Sequence, residues 1–432
     1  MYPGGDNARA AGPVRARELW AWAMYDFANS GYTTVVITAL FNAYFVAQVA
    51  GNAAWAPLAW TLALAVSYAA VIATAPVIGA YADVHAAKKR LLLATTAGCV
   101  LSTAALAAVH PGDLWLAVAL VVASNFFFST GENLVAAFLP ELAAGEAMGR
   151  VSGWGWSLGY IGGLVTLGAC LAYVTSAQSH GVPPAQFVPV TMLITAGIFA
   201  LASVPTFVLL RERAVPVARA AEDAPSAFAR LRATWRHAAE FSDLQRVLAC
   251  IACYQAGIQT VVALAAVYAQ QAMGFTVRGS IVLIMVVNVA AGAGAFLFGQ
   301  VQDRLGHVRT LAITLAGWLT AIALIALAKN AAVFWIAANL VGLCLGASQS
   351  AGRALVGYLS PPARTAEFFG LWGLAVKLAS IFGPVSYGLA TWISGGNHRV
   401  AIIITGFFFG AGLALLRSVD TARGRAAALA AR

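Results

Sequence analysis

Charge is scarce in this 432-residue sequence. Asp, Glu, Lys and Arg together make up 10% of it, and 61% of the residues are apolar. A soluble domain carries about 25% charged residues, and a folded chain of this length needs polar surface to cover its core. The shortage excludes a soluble multidomain enzyme, and the apolar content excludes disorder. Histidine is also sparse. His85, His110, His180, His237, His307 and His398 fall in loops or near helix ends. There is no Ser/His/Asp arrangement, no metal-ligand spacing and no phosphate-binding Gly-rich loop, so the expectation is no enzyme, no metal, no cofactor and no direct use of ATP. The cysteines Cys99, Cys170, Cys250, Cys253 and Cys344 lie inside apolar stretches. Cys250-x-x-Cys253 has no second ligand pair and reads as small packing residues.

Long apolar runs are abundant. About 20 apolar residues cross a bilayer as a helix, whereas barrel strands alternate over about ten. Twelve helical spans are expected, near 20–49, 56–82, 91–109, 114–138, 151–175, 188–210, 246–271, 279–301, 308–328, 332–353, 367–393 and 398–417. No short apolar core with a small-residue cleavage site follows the polar start, so the first span is expected to serve as its own insertion signal.

The basic residues orient these spans. With the N-terminus in the cytoplasm, almost all Lys and Arg fall on that side. Arg278, Lys329 and Arg399 fall outside, and Lys377 lies within a span. An even number of spans with both termini cytoplasmic follows. The +10 net charge is then topology, and nucleic-acid binding is not expected. The one long connection, 211–245, carries Pro225-Ser226 ahead of Phe228, Leu231, Trp235 and Ala238 on one face, with Arg230, Arg232 and Arg236 on the others. That pattern predicts an amphipathic helix on the inner leaflet, tethering two membrane halves.

The halves are related. Gly79-Ala-Tyr-Ala-Asp83 ends the second span and precedes Lys88, Lys89 and Arg90. Gly299-Gln-Val-Gln-Asp303-Arg304-Leu-Gly306 ends the eighth and precedes Arg309. A repeated six-helix unit is the pattern of a duplicated transporter. The expected organisation is a cytoplasmic segment 1–19, a six-helix bundle 20–210, a basic linker 211–245, a second bundle 246–417 and a tail 418–432. Carboxylates such as Asp83 and Asp303 can bond backbone N–H groups at the start of a neighbouring helix. Contacts made in one conformation alone would hold the cytoplasmic side shut.

Gly-x-x-x-Asp-Arg-x-Gly followed by basic residues resembles the signature loop of the major facilitator superfamily. The second copy is nearly complete, and the first departs at Val84 and Ala86. Four further segments carry a closer resemblance: Trp22-Ala-Met-Tyr25-Asp26-Phe-Ala-Asn29-Ser30, Ser152-Gly-Trp-Gly-Trp-Ser-Leu-Gly-Tyr160-Ile-Gly162-Gly163, Gln349-Ser-Ala-Gly-Arg353, and Glu367-Phe-Phe-Gly370 leading to Gly383-Pro384. Together they resemble the vacuole-effluxer-like branch, related to fungal vacuolar amino-acid effluxers. The resemblance implies an all-α membrane protein of 12 helices in two pseudo-symmetric bundles. It implies spans 1, 4, 7 and 10 around a central cavity, and a gate of Gly79, Asp83, Lys88, Arg90, Gly299, Asp303, Arg304 and Arg309.

Ionisable residues within spans cost about 2.5–3.5 kcal/mol each at the bilayer centre even on the lenient insertion scale. Asp26, Glu132 and Lys377 stand out, with Arg353 near an inner helix end, where it could snorkel outward. At 1.5 Å per residue, Asp26 and Glu132 lie about 9 Å from the inner end and Lys377 about 15 Å. The stripes Trp22, Asp26, Asn29 and Asn125, Ser129, Glu132, with Asn133 beside them, Gln255, Gln259 and Gln349 fall on spans 1, 4, 7 and 10. Tyr25, Trp156, Tyr160 and Trp372 are aromatic candidates near the same face. Two acids and one base leave one carboxylate unpaired, and desolvation favours its protonated form. Glu132 is the expected proton carrier and Asp26 the expected partner of Lys377, with Arg353 an alternative partner for either acid.

The leading expectation is a proton-coupled secondary transporter in a bacterial cytoplasmic membrane, exporting an amino acid or similar zwitterion as a monomer. The proton gradient is its expected energy source. An exporter of drugs or other hydrophobic compounds, an importer, and a non-transporting sensor or scaffold are the alternatives. Buried carboxylates argue against the scaffold.

Overall fold

The computed structural model describes residues 14–214 and 241–431, apart from 52, 54, 144, 272, 276, 329 and 396. The surface helix expected around Phe228, Leu231 and Trp235 lies outside the described residues, as do Arg9, Lys329 and Arg432. The described residues form helices and turns, with no β-strand among them.

The long helices are α1 (Ala16–Tyr32), α2 (Ala56–Val84), α3 (Lys88–Ala105), α4 (Leu114–Ala136), α5 (Met148–Ser179) and α6 (Pro184–Leu209). After the linker come α7 (Ser242–Gln271), α8 (Val277–Leu305), α9 (His307–Leu327), α10 (Ala331–Leu359), α11 (Thr365–Ile393) and α12 (His398–Leu416), and a short α13 (Thr421–Ala430) closes the chain. Eleven helical segments are long and apolar enough to cross a membrane, among the described residues. α7 adds thirty helical residues at the place expected for the seventh span. Helices prevail because a backbone in lipid must satisfy its own hydrogen bonds. The outward faces are apolar: Trp115, Trp392, Leu201, Leu327 and Phe407 are each more than 70% exposed, which suits hydrocarbon rather than water. The first span continues past α1 through wide π-type turns at Thr33–Ala39 and Phe45–Val49, local unwinding of the kind common at functional sites.

Packing is matched six helices apart. α2 packs along α11, and α8 packs along α5. Both contacts join the part before the linker to the part after it. Small residues bring these helices together backbone to backbone. A Cβ at Gly79 in α2 would collide with the Ala366 carbonyl of α11. At Gly299 in α8 it would sit 2.9 Å from the Gly149 carbonyl of α5 and 3.1 Å from the Gly153 Cα. Pro384 lies within α11 without ending it, and a Cβ at its neighbour Gly383 would collide with the Ala256 carbonyl of α7.

Candidate functional site

Four charged side chains meet in the interior as two ion pairs, each joining the two parts of the chain. Asp26 of α1 pairs with Arg353 of α10 at 2.7 Å. Glu132 of α4 faces Lys377 of α11 at 3.7 Å. The expected Asp26–Lys377 pair is therefore corrected to Asp26–Arg353, and Glu132 does not stand alone. Arg353 does not snorkel outward but turns inward. Two acids and two bases balance, which the sequence count missed by placing Arg353 at the membrane edge.

The pairs differ in kind. Arg353 is 3% exposed and donates a hydrogen bond from each of its three side-chain nitrogens. Its Nη1 donates to Asp26, its Nε to Ser152 Oγ at 3.1 Å and its Nη2 to the Ser152 carbonyl at 2.8 Å. Its guanidinium lies over the rings of Trp22 at 4.8 Å and Trp156 at 5.4 Å, a placement the ring quadrupole favours. Gly155 makes room for it: a Cβ there would strike the Asp26 carboxylate and sit 2.9 Å from the Trp22 ring. The second pair is loose. Its separation is too long for a hydrogen bond, and the Glu132 side chain is 27% exposed. The Lys377 ammonium sits 5.2 Å from the centre of the Tyr68 ring.

The other expected cavity residues divide. Trp22 is buried and donates to the Val135 carbonyl at 2.8 Å, so it serves as a floor beneath Arg353. Tyr25 bonds Thr96 at 2.9 Å and packs edge-on to Phe199 and Phe207, which places it within the first half rather than at the seam. Asn125 donates to Ser67 Oγ at 3.0 Å, also within that half. Asn29 is buried. Trp372 is buried edge-on against Phe369. Tyr160 lies beside Trp156 and approaches Gly292 of α8. Gln255 of α7 donates to Gln349 of α10 at 2.5 Å, and Gln259 is half-buried one turn on. Asn133 abuts Gly373 of α11. Among the described residues, Ser129 Oγ, Asn133 Nδ2, Trp156 Nε1 and Gln255 Oε1 are buried without a hydrogen-bond partner. Such groups normally find one.

A second cluster of charges lies at the basic end. Asp83, in the last turn of α2, accepts the backbone N–H of Glu367, the third residue of α11, at 2.9 Å. Asp303, in the last turn of α8, accepts the N–H of Arg150, the third residue of α5, at 3.0 Å. Lys88 is no solvated gate charge. It is 1% exposed, lies 3.4 Å from Asp83, and donates to Glu141 and Thr365, both at 2.7 Å. Glu212, at the start of the linker, caps α3 through the N–H groups of Lys88 and Lys89 at 2.8 and 3.1 Å. Arg213 ties the same segment to Glu18 at 2.9 Å. Arg90, Arg304 and Arg309 are exposed and make no ion pair among the described residues. Sequence reading gave no site role to Ser152, Glu141, Glu212 or Thr365. Glu212 lies 124 residues from the first residue of the helix it caps, so adjacency in sequence carried no cue.

Cys250 donates to the Gly412 carbonyl at 3.1 Å, consistent with a packing role. No group of three or more His, Cys, Asp or Glu that could hold a metal occurs among the described residues.

The helical arrangement is that of the major facilitator superfamily. The chain matches the human organic anion transporter MFSD10 (TETRAN) at a TM-score of 0.72 and 16% identity, over 93% of this chain and 99% of that one. It matches the E. coli fucose:proton symporter FucP at a TM-score of 0.73 and 13% identity, over 93% and 98%. Residues 58–429 match the family described as vacuole effluxer Atg22 like, and the chain belongs to that family. It is 25% identical over 407 residues to the uncharacterized MFS-type transporter YxiO of Bacillus subtilis, covering 92% of this chain and 94% of the relative. It is also 36% identical over 89 residues to Autophagy-related protein 22-1 of Neosartorya fischeri, 21% of this chain and 14% of that protein. The protein is thus a multi-pass transporter and not an enzyme.

Proposed function

We propose that the protein is a proton-coupled secondary transporter that exports an amino acid or similar zwitterion from the cytoplasm by alternating access. In this reading twelve spans form two six-helix halves with both termini cytoplasmic, in a bacterial cytoplasmic membrane. The observation that carries it is the unlike pair of charge bridges at the seam. Asp26–Arg353 is buried, is tied to Ser152 as well, and serves as a pivot. Glu132–Lys377 is open, with its carboxylate partly exposed. A zwitterion fits between two separated opposite charges, since its ammonium takes the carboxylate and its carboxylate takes the ammonium. The partnerless Ser129, Asn133 and Gln255 atoms offer further bonds to such a solute. A proton on Glu132 removes its hold on Lys377 and on the solute's ammonium, which links proton entry to solute release.

The Asp83 and Asp303 caps hold the basic end shut in this conformation. When that end opens, both carboxylates lose their N–H partners and water replaces them. The resemblance to vacuolar amino-acid effluxers supports the solute class. The test is counterflow in proteoliposomes with a panel of labelled amino acids, sugars and organic anions. Exchange of one or more amino acids, enhanced by a proton gradient, is the expected result. Exchange of sugars or organic anions alone would overturn the solute class.

A further inference from the structure

The charged end holds an opening whose lining includes none of the four interior paired charges. It lies within the C-terminal part, between the first turns of α7, the α8–α9 turn and the segment joining α12 to α13. The cavity measures about 660 Å³. Arg246, Arg309, Arg417 and Arg423 line it, with Asp420 as the one acid in its wall. Both nearby carboxylates already accept hydrogen bonds. Asp420 caps α13 through the N–H groups of Ala422 and Arg423 at 2.9 and 3.0 Å. Asp243 accepts from Arg423 at 2.7 and 2.6 Å and from the Asp420 N–H at 3.0 Å. Arg246 donates to the Ser418 carbonyl at 2.9 Å. Arg309 and Arg417 are exposed and have no side-chain partner among the described residues.

The start of α9 opens onto the same space. Gly306 precedes it at a φ of 85° and offers no capping side chain. The N–H groups of His307, Val308 and Arg309 therefore have no intrahelical acceptor. Guanidinium forks and free helix N–H groups both favour tetrahedral oxyanions. The cavity is larger than a simple carboxylate needs.

We propose that this cavity is a binding site for a phosphate-bearing anion, held chiefly by Arg309 and Arg417. The ligand would bridge three elements and brace the turn that follows Asp303. Basic pockets at membrane edges take lipid phosphate groups, and free phosphate shares that chemistry. The inference does not depend on the transported solute.

The test uses the purified full chain in neutral detergent at constant ionic strength. Thermal unfolding is followed with added sodium phosphate, with short-chain phosphatidylglycerol, or with short-chain phosphatidylcholine. A ligand that binds the folded state raises the transition in proportion to its occupancy. Stabilisation by phosphatidylglycerol alone assigns the site to an anionic lipid headgroup, and stabilisation by phosphate as well assigns it to the free anion too. In either case Arg309→Gln/Arg417→Gln should weaken the apparent affinity about tenfold or more. Each single variant should weaken it less, and Arg17→Gln/Arg211→Gln, at exposed basic positions elsewhere, should leave it unchanged. The proposal is overturned if neither phosphate compound stabilises the protein beyond phosphatidylcholine and chloride. It is equally overturned if the two double variants respond alike.

Discussion

The Asp83 carboxylate accepts the backbone N–H of Glu367 at 2.9 Å across 284 residues of sequence. The Asp303 carboxylate makes the corresponding bond to Arg150 at 3.0 Å. Each carboxylate ends one helix and caps another from the opposite part of the chain. A hydrogen bond to a charged group is worth about 1.5–3 kcal/mol, so losing one should favour the open basic end about tenfold or more. In a variant without native cysteines, Ser350→Cys reports on the seam, since Ser350 is buried and its carbonyl accepts from Ser152. Maleimide labelling of that cysteine should accelerate about tenfold on adding Asp303→Asn. Unchanged labelling would reduce the cap to a static contact.

Asp26 and Arg353 should behave as a unit in stability. Removing one member of a buried pair costs about 3–5 kcal/mol because the other charge is stranded. Asp26→Asn and Arg353→Gln should each lower the thermal transition, and the double variant should lose less than the sum. Gly155→Ala should also destabilise, because the new methyl meets the pair. Strict additivity in the double variant would contradict the pairing.

The docking of α13 should depend on pH through Asp243. Hydrogen bonds from Arg423 hold its carboxylate below the usual carboxylate range. A depressed carboxylate contributes stability above its unfolded pKa and loses it as pH falls through the folded value. Contact should thus persist at pH 5 and fail only below about pH 4. A spin label at exposed Leu429 would stay restricted until then, and Asp243→Asn should free it at every pH. A label whose mobility follows pH 6–7 would point to another group.

The fold was legible because lipid enforces a simple rule. Apolar length marks helices, and eleven helical segments among the described residues are long and apolar enough to cross a membrane. The interior acids were legible too, since Asp26 and Glu132 stand in apolar surroundings with no surface reason to be there. Their partners were not. Arg353 sits near a helix end in the sequence, and its inward turn is set by Ser152, Trp22 and Trp156, residues 201 or more positions away in the case of Ser152 and Trp22. Tyr25 and Asn125 lie on polar stripes yet bond within their own half. Helical periodicity identifies a face but not which neighbouring helix it meets. The Asp83 and Asp303 motifs announced themselves by repetition, whereas Glu212 and Glu141, which complete the network around Lys88, lie in connections that carry no period.

Coupling turns on Glu132 and Lys377 in the proposed cycle, and the most direct measurement is proton flux driven by solute. Proteoliposomes containing a pH-sensitive dye would be given the amino acid found by counterflow. The wild type should show solute-driven proton movement, and Glu132→Gln should abolish it and weaken the apparent affinity for the solute, because the neutral side chain has lost its hold on the solute's ammonium. Proton movement in Glu132→Gln equal to that of the wild type would contradict the central assignment.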